Sequence, residues 1–243
     1  MAGHSKWANI KHRKGAQDAK RGKIFAKLSK EITVAALSGQ PDPAMNPSLR
    51  LAVSKAKAQS MPKKNIEAAI EKAIGNKSGT NFKEIVYAAN VGGVSFLINC
   101  LTDNTKRTAA SIQHIVSKAG GSIAGPSSVS YIFDRKGVLE ILRENRDEDE
   151  TMMLALDAGA QDFETFADSY YIYTDASKFS EVKDNLETQG INEFKTAEVR
   201  NIANQEIKVP KDKAEKILAF INKLEDDDDV QDVYHNLDAD SFD

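Results

Sequence analysis

The sequence predicts an α+β fold of three domains, in which an N-terminal three-helix domain is followed by two ferredoxin-like α/β domains. Apolar residues recur with a helical period up to about residue 75 and with a period of two after residue 82. Residues 135–203 then contain a complete β-α-β-β-α-β order, while the segments on either side each contain an incomplete sheet. We therefore expect the second domain to be split by insertion of the third.

Three short helices are predicted in the first domain. The first runs from Asp18 to Leu37, because apolar residues recur there at helical spacing. These residues are Ile24, Leu28, Ile32 and Ala35. Asn46 is a suitable cap and Pro47 a suitable first residue for the second helix. The third helix follows Met61-Pro62 and ends at Gly75.

Strands and helices alternate in the rest of the chain. Strands are predicted at 84–90, 93–102, 129–133, 137–142, 161–166, 169–174, 193–199, 205–209 and 230–236. Helices are predicted at 105–119, 148–158, 176–189 and 211–225. The expected domains are residues 1–81, residues 82–134 plus 204–243, and the inserted residues 135–203.

Charge is distributed unevenly along the chain, although the net charge is only −3. Residues 1–80 hold 16 Lys and Arg against 5 Asp and Glu, which is +11, whereas residues 81–243 hold 17 against 31, which is −14. Such asymmetry indicates that one end of the chain binds a polyanion.

The cysteine content and the hydropathy of the chain indicate the cellular compartment in which the protein is expected. The single cysteine, Cys100, cannot form an internal disulfide, which fits a reducing compartment. Because it lies in an apolar run, we expect a buried strand residue rather than a catalytic thiol. No apolar run approaches the roughly 20 residues that cross a bilayer, and no signal-peptide pattern is evident. The expected location is the cytoplasm, without membrane contact.

The N-terminal 15 residues form a basic arm. The candidate nucleic-acid-binding residues in this arm are Lys6, Trp7, Lys11, His12, Arg13 and Lys14. The Trp7 ring could stack on an exposed base or anchor the arm on the helices, and both interpretations stay open. His4 and His12 have no cysteine or carboxylate at metal-ligand spacing, so no metal site and no cofactor are expected.

Basic residues also follow one side of the first helix. At about 100° per residue, its lysines fall in one sector, well apart from the apolar face. The candidates are Lys20, Arg21, Lys23, Lys27 and Lys30, joined by Lys63 and Lys64 at the start of the third helix. Asp18 is the only acid among residues 1–30, so a phosphate-binding stripe is favoured over a merely solvated face.

A second candidate contact lies where a strand passes into the helix at 105–119. Lys106 and Arg107 lie in the first turn, where the helix dipole disfavours cations, while the backbone amides there can bind phosphate. Asn104 can cap this helix, and His114 and Lys118 share its outer face with Arg107. The alternative is the solvated face of an amphipathic helix, and the sequence does not decide between them.

Other segments carry weaker signals. The glycine-rich stretch 120–128 predicts a flexible loop without a nucleotide-binding motif, and the acidic run Glu225–Asp229 predicts a solvated loop. No catalytic motif is present, which indicates a protein that is not an enzyme. An enzyme with a phosphate-bearing ligand at Asp103–Arg107 is a distant alternative.

These residues together resemble the YebC family along essentially the whole chain. The matching N-terminal motifs are Gly3-His4-Ser5-Lys6-Trp7, Ile10-Lys11-His12, Asp18-Ala19-Lys20-Arg21-Gly22-Lys23 and Met61-Pro62-Lys63. The later ones are Leu101-Thr102-Asp103-Asn104, Arg107-Thr108, Gly120-Gly121, Lys136-Gly137-Val138 and Asp228-Asp229-Val230-Gln231.

The resemblance implies a three-domain fold and a regulator of gene expression. Members are named probable transcriptional regulatory proteins and described as DNA-binding. The family includes the mitochondrial translational activator of cytochrome c oxidase I, and bacterial relatives are linked to the ribosome and to relief of stalling on proline-rich stretches. Two expectations follow: a DNA-binding transcriptional regulator, or a ribosome-associated translation factor that binds RNA. The residues alone lean toward RNA, because lysines suit phosphate contact and no helix clusters Arg, Asn and Gln for base reading.

Overall fold

The computed structural model describes residues 17–75, 82–144 and 146–242. The chain forms two compact units. Of the described residues, 82–134 and 201–242 belong to one unit, and 18–75 with 135–200 belong to the other. The α+β class with an inserted third domain is confirmed, while the domain boundaries given by the sequence stay a prediction.

Three helices build the N-terminal domain: α1 (Gln17–Leu37), α2 (Pro47–Ala58) and α3 (Lys63–Gly75). Their core is aliphatic and consists of Leu28, Ile32, Ala36, Leu49, Ala52, Val53, Ala56, Met61, Ile66, Ala69 and Ala73. Ile24, expected in this core, is 40% exposed, because the buried row of α1 begins one turn later at Leu28.

Asn46 holds the connection between α1 and α2 in place. Its Oδ1 accepts a hydrogen bond from the amide of Leu49 at 3.1 Å, which caps α2 as predicted. Its Nδ2 donates to the carbonyls of Ala35 at 2.8 Å and Gln40 at 2.9 Å. Gly39 allows this approach, since a Cβ there would lie 2.8 Å from Nδ2.

The first α/β domain is a four-stranded antiparallel sheet of order β3-β1-β2-β8. Its strands are β1 (Lys83–Val91), β2 (Val94–Thr102), β3 (Ser122–Ala124) and β8 (Val230–His235). Helices α4 (Thr105–Lys118) and α7 (Lys211–Glu225) bury a common core with the sheet. The rings of Phe96 on β2 and Phe220 on α7 meet edge to face at 5.1 Å. Cys100 is buried in β2, as predicted.

Two predicted strands of this domain are wrong. Val129 lies between two short 3₁₀ turns, Pro126–Ser128 and Ser130–Ile132, and Phe133 is the first residue of the next strand. Val129 and Phe133 are buried there in a small cluster with Ala88, Leu97 and Tyr234. The strand next to β1 is instead β3, in the stretch expected to be a flexible loop. Residues 205–209 contribute one bridge, Ile207 to Leu237.

The inserted domain has the ferredoxin-like order, with strands arranged β5-β6-β4-β7. Its elements are β4 (Phe133–Leu142), α5 (Glu148–Ala158), β5 (Asp162–Thr165), β6 (Ser169–Asp175), α6 (Phe179–Thr188) and β7 (Thr196–Ala203). Leu139, Ile141, Tyr170 and Ile172 pack with both helices on one face of the sheet. Gly159, at φ 104°, ends α5 in the left-handed conformation that favours glycine.

A buried carboxylate lies on this sheet. Glu140 accepts hydrogen bonds from Lys195 and Thr196, both at 2.8 Å. Burial raises the pKa of Glu140, but the hydrogen bonds from Lys195 and Thr196 outweigh that effect and hold its pKa below the ordinary value.

In the same unit, Lys55 of α2 lies 3.3 Å from Glu31 and 3.8 Å from Glu198, and so links the helical and inserted parts. No helix among the described residues is long and apolar enough to cross a membrane.

Candidate nucleic-acid interface

The basic arm of the first domain lies outside the described residues. Its candidates, Lys6, Trp7, Lys11, His12, Arg13 and Lys14, stay predictions from the sequence. The described part of the candidate interface therefore begins with α1, where Lys20 lies in the first turn.

The basic side of α1 is only partly open to solvent. Arg21 and Lys23 are exposed, whereas Lys27 and Lys30 are half-buried. Lys23, Lys27 and Lys30 each also interact with another group of the protein. This corrects the expectation of a uniformly solvated stripe. Arg21 and Lys23 stay exposed, but on different sides of the helix, because two residues turn it by about 200°.

Two further lysines stand at the start of α3. The ammonium of Lys63 lies 3.6 Å from the carboxylate of Glu67, and the two side chains are 89% and 55% exposed. An ion pair this open to water contributes about 0–1 kcal/mol. Lys63 can therefore exchange this weak contact for a phosphate at little cost, and its neighbour Lys64 is exposed as well.

The second candidate contact is built around a buried acid. At the start of α4, Arg107 lies 2.8 Å from the carboxylate of Asp229 and 2.9 Å from that of Asp103. The hydrogen bond from Arg107 to Asp229 raises the pKa of the guanidinium, with a smaller effect from Asp103. These carboxylates explain why an arginine occupies a helix start that otherwise disfavours cations.

Asp229 collects several donors. Its Oδ2 accepts from Thr108 at 2.9 Å and from Thr102 at 3.2 Å, besides Arg107, and the residue is 7% exposed. Asp227, two residues earlier, accepts a hydrogen bond from Ser111 of α4. The prediction that this acidic run is a solvated loop is therefore wrong for these two acids. The run fastens the end of α7 to the start of α4.

The other members of the second candidate contact have different surroundings. Asn104 caps α4 by accepting from the amide of Arg107 at 3.1 Å, as predicted. Lys106 is exposed beside it. His114 and Lys118 lie two to three turns away, so the structure does not bring all five predicted residues to one point.

His114 and Lys118 line a groove between α4 and α7, here named the α4–α7 groove, with a volume of about 910 Å³. Three lysines of α7 line it as well: Lys213, Lys216 and Lys223. The sequence reasoning missed these three, although their i, i+3, i+10 spacing places them along one side of a helix. Their approach to Lys118 depends on the packing of two helices that lie about 100 residues apart in the chain.

The placement of residue types that ligate metals can be stated for the described residues. Within residues 17–75, 82–144 and 146–242, no group of three His, Cys, Asp or Glu is placed to hold a metal ion. The described candidate residues are instead cations and a capping amide, which is a composition suited to binding anions.

Comparison with known proteins gives two family matches that together cover most of the chain. The model described as the TACO1/YebC protein N-terminal domain matches residues 5–76. The model described as the TACO1/YebC second and third domain matches residues 82–237.

Whole-length relatives carry a common name. A probable transcriptional regulatory protein of Mycoplasma mobile is 54% identical over 243 residues, covering 98% of this chain and 100% of its own. One of Geobacillus thermodenitrificans is also 54% identical, covering 98% and 97%. The crystal structure of a conserved hypothetical protein from Aquifex aeolicus superposes with a TM-score of 0.81 at 37% identity, covering 91% of each chain.

Proposed function

This chain belongs to the TACO1/YebC family, and on that premise we propose that it is a non-enzymatic nucleic-acid-binding regulator of gene expression, a DNA-binding transcriptional regulator of the YebC type. It acts in the cytoplasm, away from membranes, and uses neither a cofactor nor a metal.

The charge distribution is the observation that carries this proposal. The +11 of residues 1–80 stands against the −14 of the remainder, so the chain is polarised rather than uniformly basic. A polarised chain approaches a polyanion with its basic end first, since long-range attraction orients the encounter. The exposed Arg21, Lys23, Lys63 and Lys64 belong to that end.

Phosphates are the expected points of contact. Helix α1 contains four lysines and one arginine, and lysine binds phosphate as a point charge without reading a base edge. The arm, with Trp7 among its cations, adds a ring that can stack on a base. Binding by these groups depends strongly on salt and weakly on sequence.

A second candidate is a ribosome-associated translation factor that binds structured RNA. The lysine-rich composition of α1 favours it, because RNA helices are recognised mainly through their shape, phosphates and 2′-hydroxyls. Relief of stalling on proline-rich stretches is the activity that this candidate predicts.

The two candidates are separated by affinity measurements on the intact protein. Random duplex DNA, a promoter duplex and purified ribosomes are compared at equal ionic strength, followed by crosslinking in cells and sequencing of the bound nucleic acid. A regulator binds the promoter more tightly than random duplex and is recovered on chromosomal sites. A translation factor binds ribosomes most tightly and is recovered on ribosomal RNA.

A further inference from the structure

The α4–α7 groove has an apolar floor without an exposed aromatic ring. Ile115, Ala119 and Ala219 line it at the surface, whereas Ile217 and Phe220 below them are only 2% and 4% exposed, and Phe220 packs edge to face on Phe96. A nucleobase needs an open ring face on which to stack. The floor is therefore better suited to aliphatic side chains than to bases.

The rim of this groove is cationic. Lys118 of α4 and Lys213, Lys216 and Lys223 of α7 are all exposed, against one exposed acid in the lining, Asp212. Among the described residues, no salt bridge joins any of these four lysines to an acid. Four ammonium groups around one groove repel each other, and an acidic occupant would relieve that repulsion.

Helix α5 of the inserted domain has the complementary surface. Met152, Met153 and Leu156 are 36%, 63% and 51% exposed and form an outward apolar stripe, since they lie within about 100° of one another on the helix. Four exposed acids surround this stripe, Glu148, Asp149, Glu150 and Asp157, of which Glu148 lies 3.3 Å from Arg143 of the same chain. The helix contains no basic residue.

We propose that the α4–α7 groove of one copy of this chain binds helix α5 of a second copy. The methionine and leucine side chains lie on the aliphatic floor, and the four acids meet the four lysines of the rim. An α5 of 11 residues is about 16 Å long and α7 with 15 residues about 22 Å, so the docked helix lies within the length of the groove.

Two different surfaces meet in this contact, so copies join head to tail and the assembly can extend beyond a dimer. One short helix buries less area than a stable dimer needs, which makes the contact transient. The inference does not depend on nucleic-acid binding by the first domain.

Sedimentation velocity of the full chain at low salt tests the proposal. The weight-average sedimentation coefficient is expected to rise as the protein concentration passes about 100 μM, which is the dissociation constant expected of a small, weak interface. A labelled peptide of residues 147–159 provides a second readout through its fluorescence anisotropy on binding the full chain.

Three variants locate the contact. Lys216→Glu with Lys223→Glu reverses two of the four positive charges on the rim and should weaken self-association and peptide binding about tenfold or more. Met153→Ser with Leu156→Ser should abolish self-association without changing the charge. Lys178→Glu with Lys208→Glu, both exposed and outside the groove, changes the charge as much as the rim variant and should associate like the parent protein.

Three results overturn the proposal. One is a sedimentation coefficient independent of concentration together with no peptide binding. Another is an equal loss of self-association in the rim variant and the charge-matched variant, which would show that net charge alone causes the effect. The third is a rim variant that keeps self-association but loses affinity for duplex DNA, which would assign the groove to nucleic acid.

Discussion

The guanidinium of Arg107 lies 2.8 Å from the carboxylate of Asp229, although 122 positions separate the two residues in the chain. Thr102 and Thr108 donate to the same buried carboxylate. The contact joins the start of α4 to the segment between α7 and β8. Arg107, a candidate for phosphate binding, therefore also has a structural partner in Asp229.

Replacing Asp229 with alanine should lower the free energy of unfolding by about 2–4 kcal/mol, because Thr102, Thr108 and Arg107 would lose a buried acceptor. Urea denaturation measures this loss. Asp184→Ala, at an exposed acid of α6, is the control and should change stability by less than about 1 kcal/mol. An equal loss of unfolding free energy in the two variants would contradict a structural role for the Asp229 carboxylate.

Gly121→Ala should destabilise the protein by about 1–3 kcal/mol through overpacking at the start of β3. A Cβ at this position would lie 2.4 Å from a methyl group of Val91 and 2.8 Å from the carbonyl oxygen of Asn90. Gly125→Ala is the matched control, since its Cβ would meet only Ser127 Oγ at 4.0 Å. Thermal unfolding of both variants checks the prediction, and a Gly121→Ala protein as stable as the control would contradict the packing of β3 against β1.

Acidification should weaken the inserted domain through Glu140. Because its folded-state pKa lies below the ordinary value of 4.5, the stabilisation is complete above pH 4.5 and is lost as the pH falls through the lowered value. Glu140→Gln should therefore lose about 1–2 kcal/mol at pH 7 and show a flatter decline of stability below pH 4.5. Urea unfolding between pH 7 and pH 3 measures both. Glu144→Gln, at an exposed position, should show the same dependence of unfolding free energy on pH as the parent protein. If Glu140→Gln lost stability below pH 4.5 as steeply as the parent protein, the role of this carboxylate would be refuted.

Charge reversal at Lys23 and Lys27 should weaken nucleic-acid binding and reduce the slope of log K against log salt by about 2, one for each phosphate that is no longer neutralised. Fluorescence anisotropy with duplex DNA and with ribosomal RNA measures the affinity. Because both lysines also interact within the protein, circular dichroism melting must show that the variant stays folded. Lys178→Glu with Lys208→Glu gives the same change in net charge outside the first domain. An equal decrease in affinity in the two variants would argue against a binding surface on α1.

Local patterns were sufficient to predict the helices and the inserted β-α-β-β-α-β unit. The 3.6-residue period of α1 and the Asn46-Pro47 cap appear in the structure as expected. The three-residue β3 was missed because so short a strand carries no periodicity and depends on pairing with β1. The strand predicted at 129–133 is a 3₁₀ turn at Ser130–Ile132, and only Phe133 lies in a strand, as the first residue of β4.

The candidate interface was predictable only where the chain itself concentrates charge. The cations of residues 1–30 stand out because Asp18 is their only acidic neighbour. The pairing of Arg107 with Asp229 and the approach of Lys118 to Lys216 are tertiary contacts, formed when α4 and α7 pack on one sheet. No local pattern encodes such distances, so sequence reasoning left Arg107 open between a phosphate contact and a solvated helix face, and it overlooked the α7 lysines.

The most direct test of the central claim is the salt dependence of binding by the intact protein to duplex DNA and to ribosomes, measured from about 50 to 200 mM salt. If the basic first third neutralises phosphates, affinity should fall by about a hundredfold or more over this range for the physiological target. An affinity that does not change with salt, or no binding to either target at low ionic strength, would contradict it.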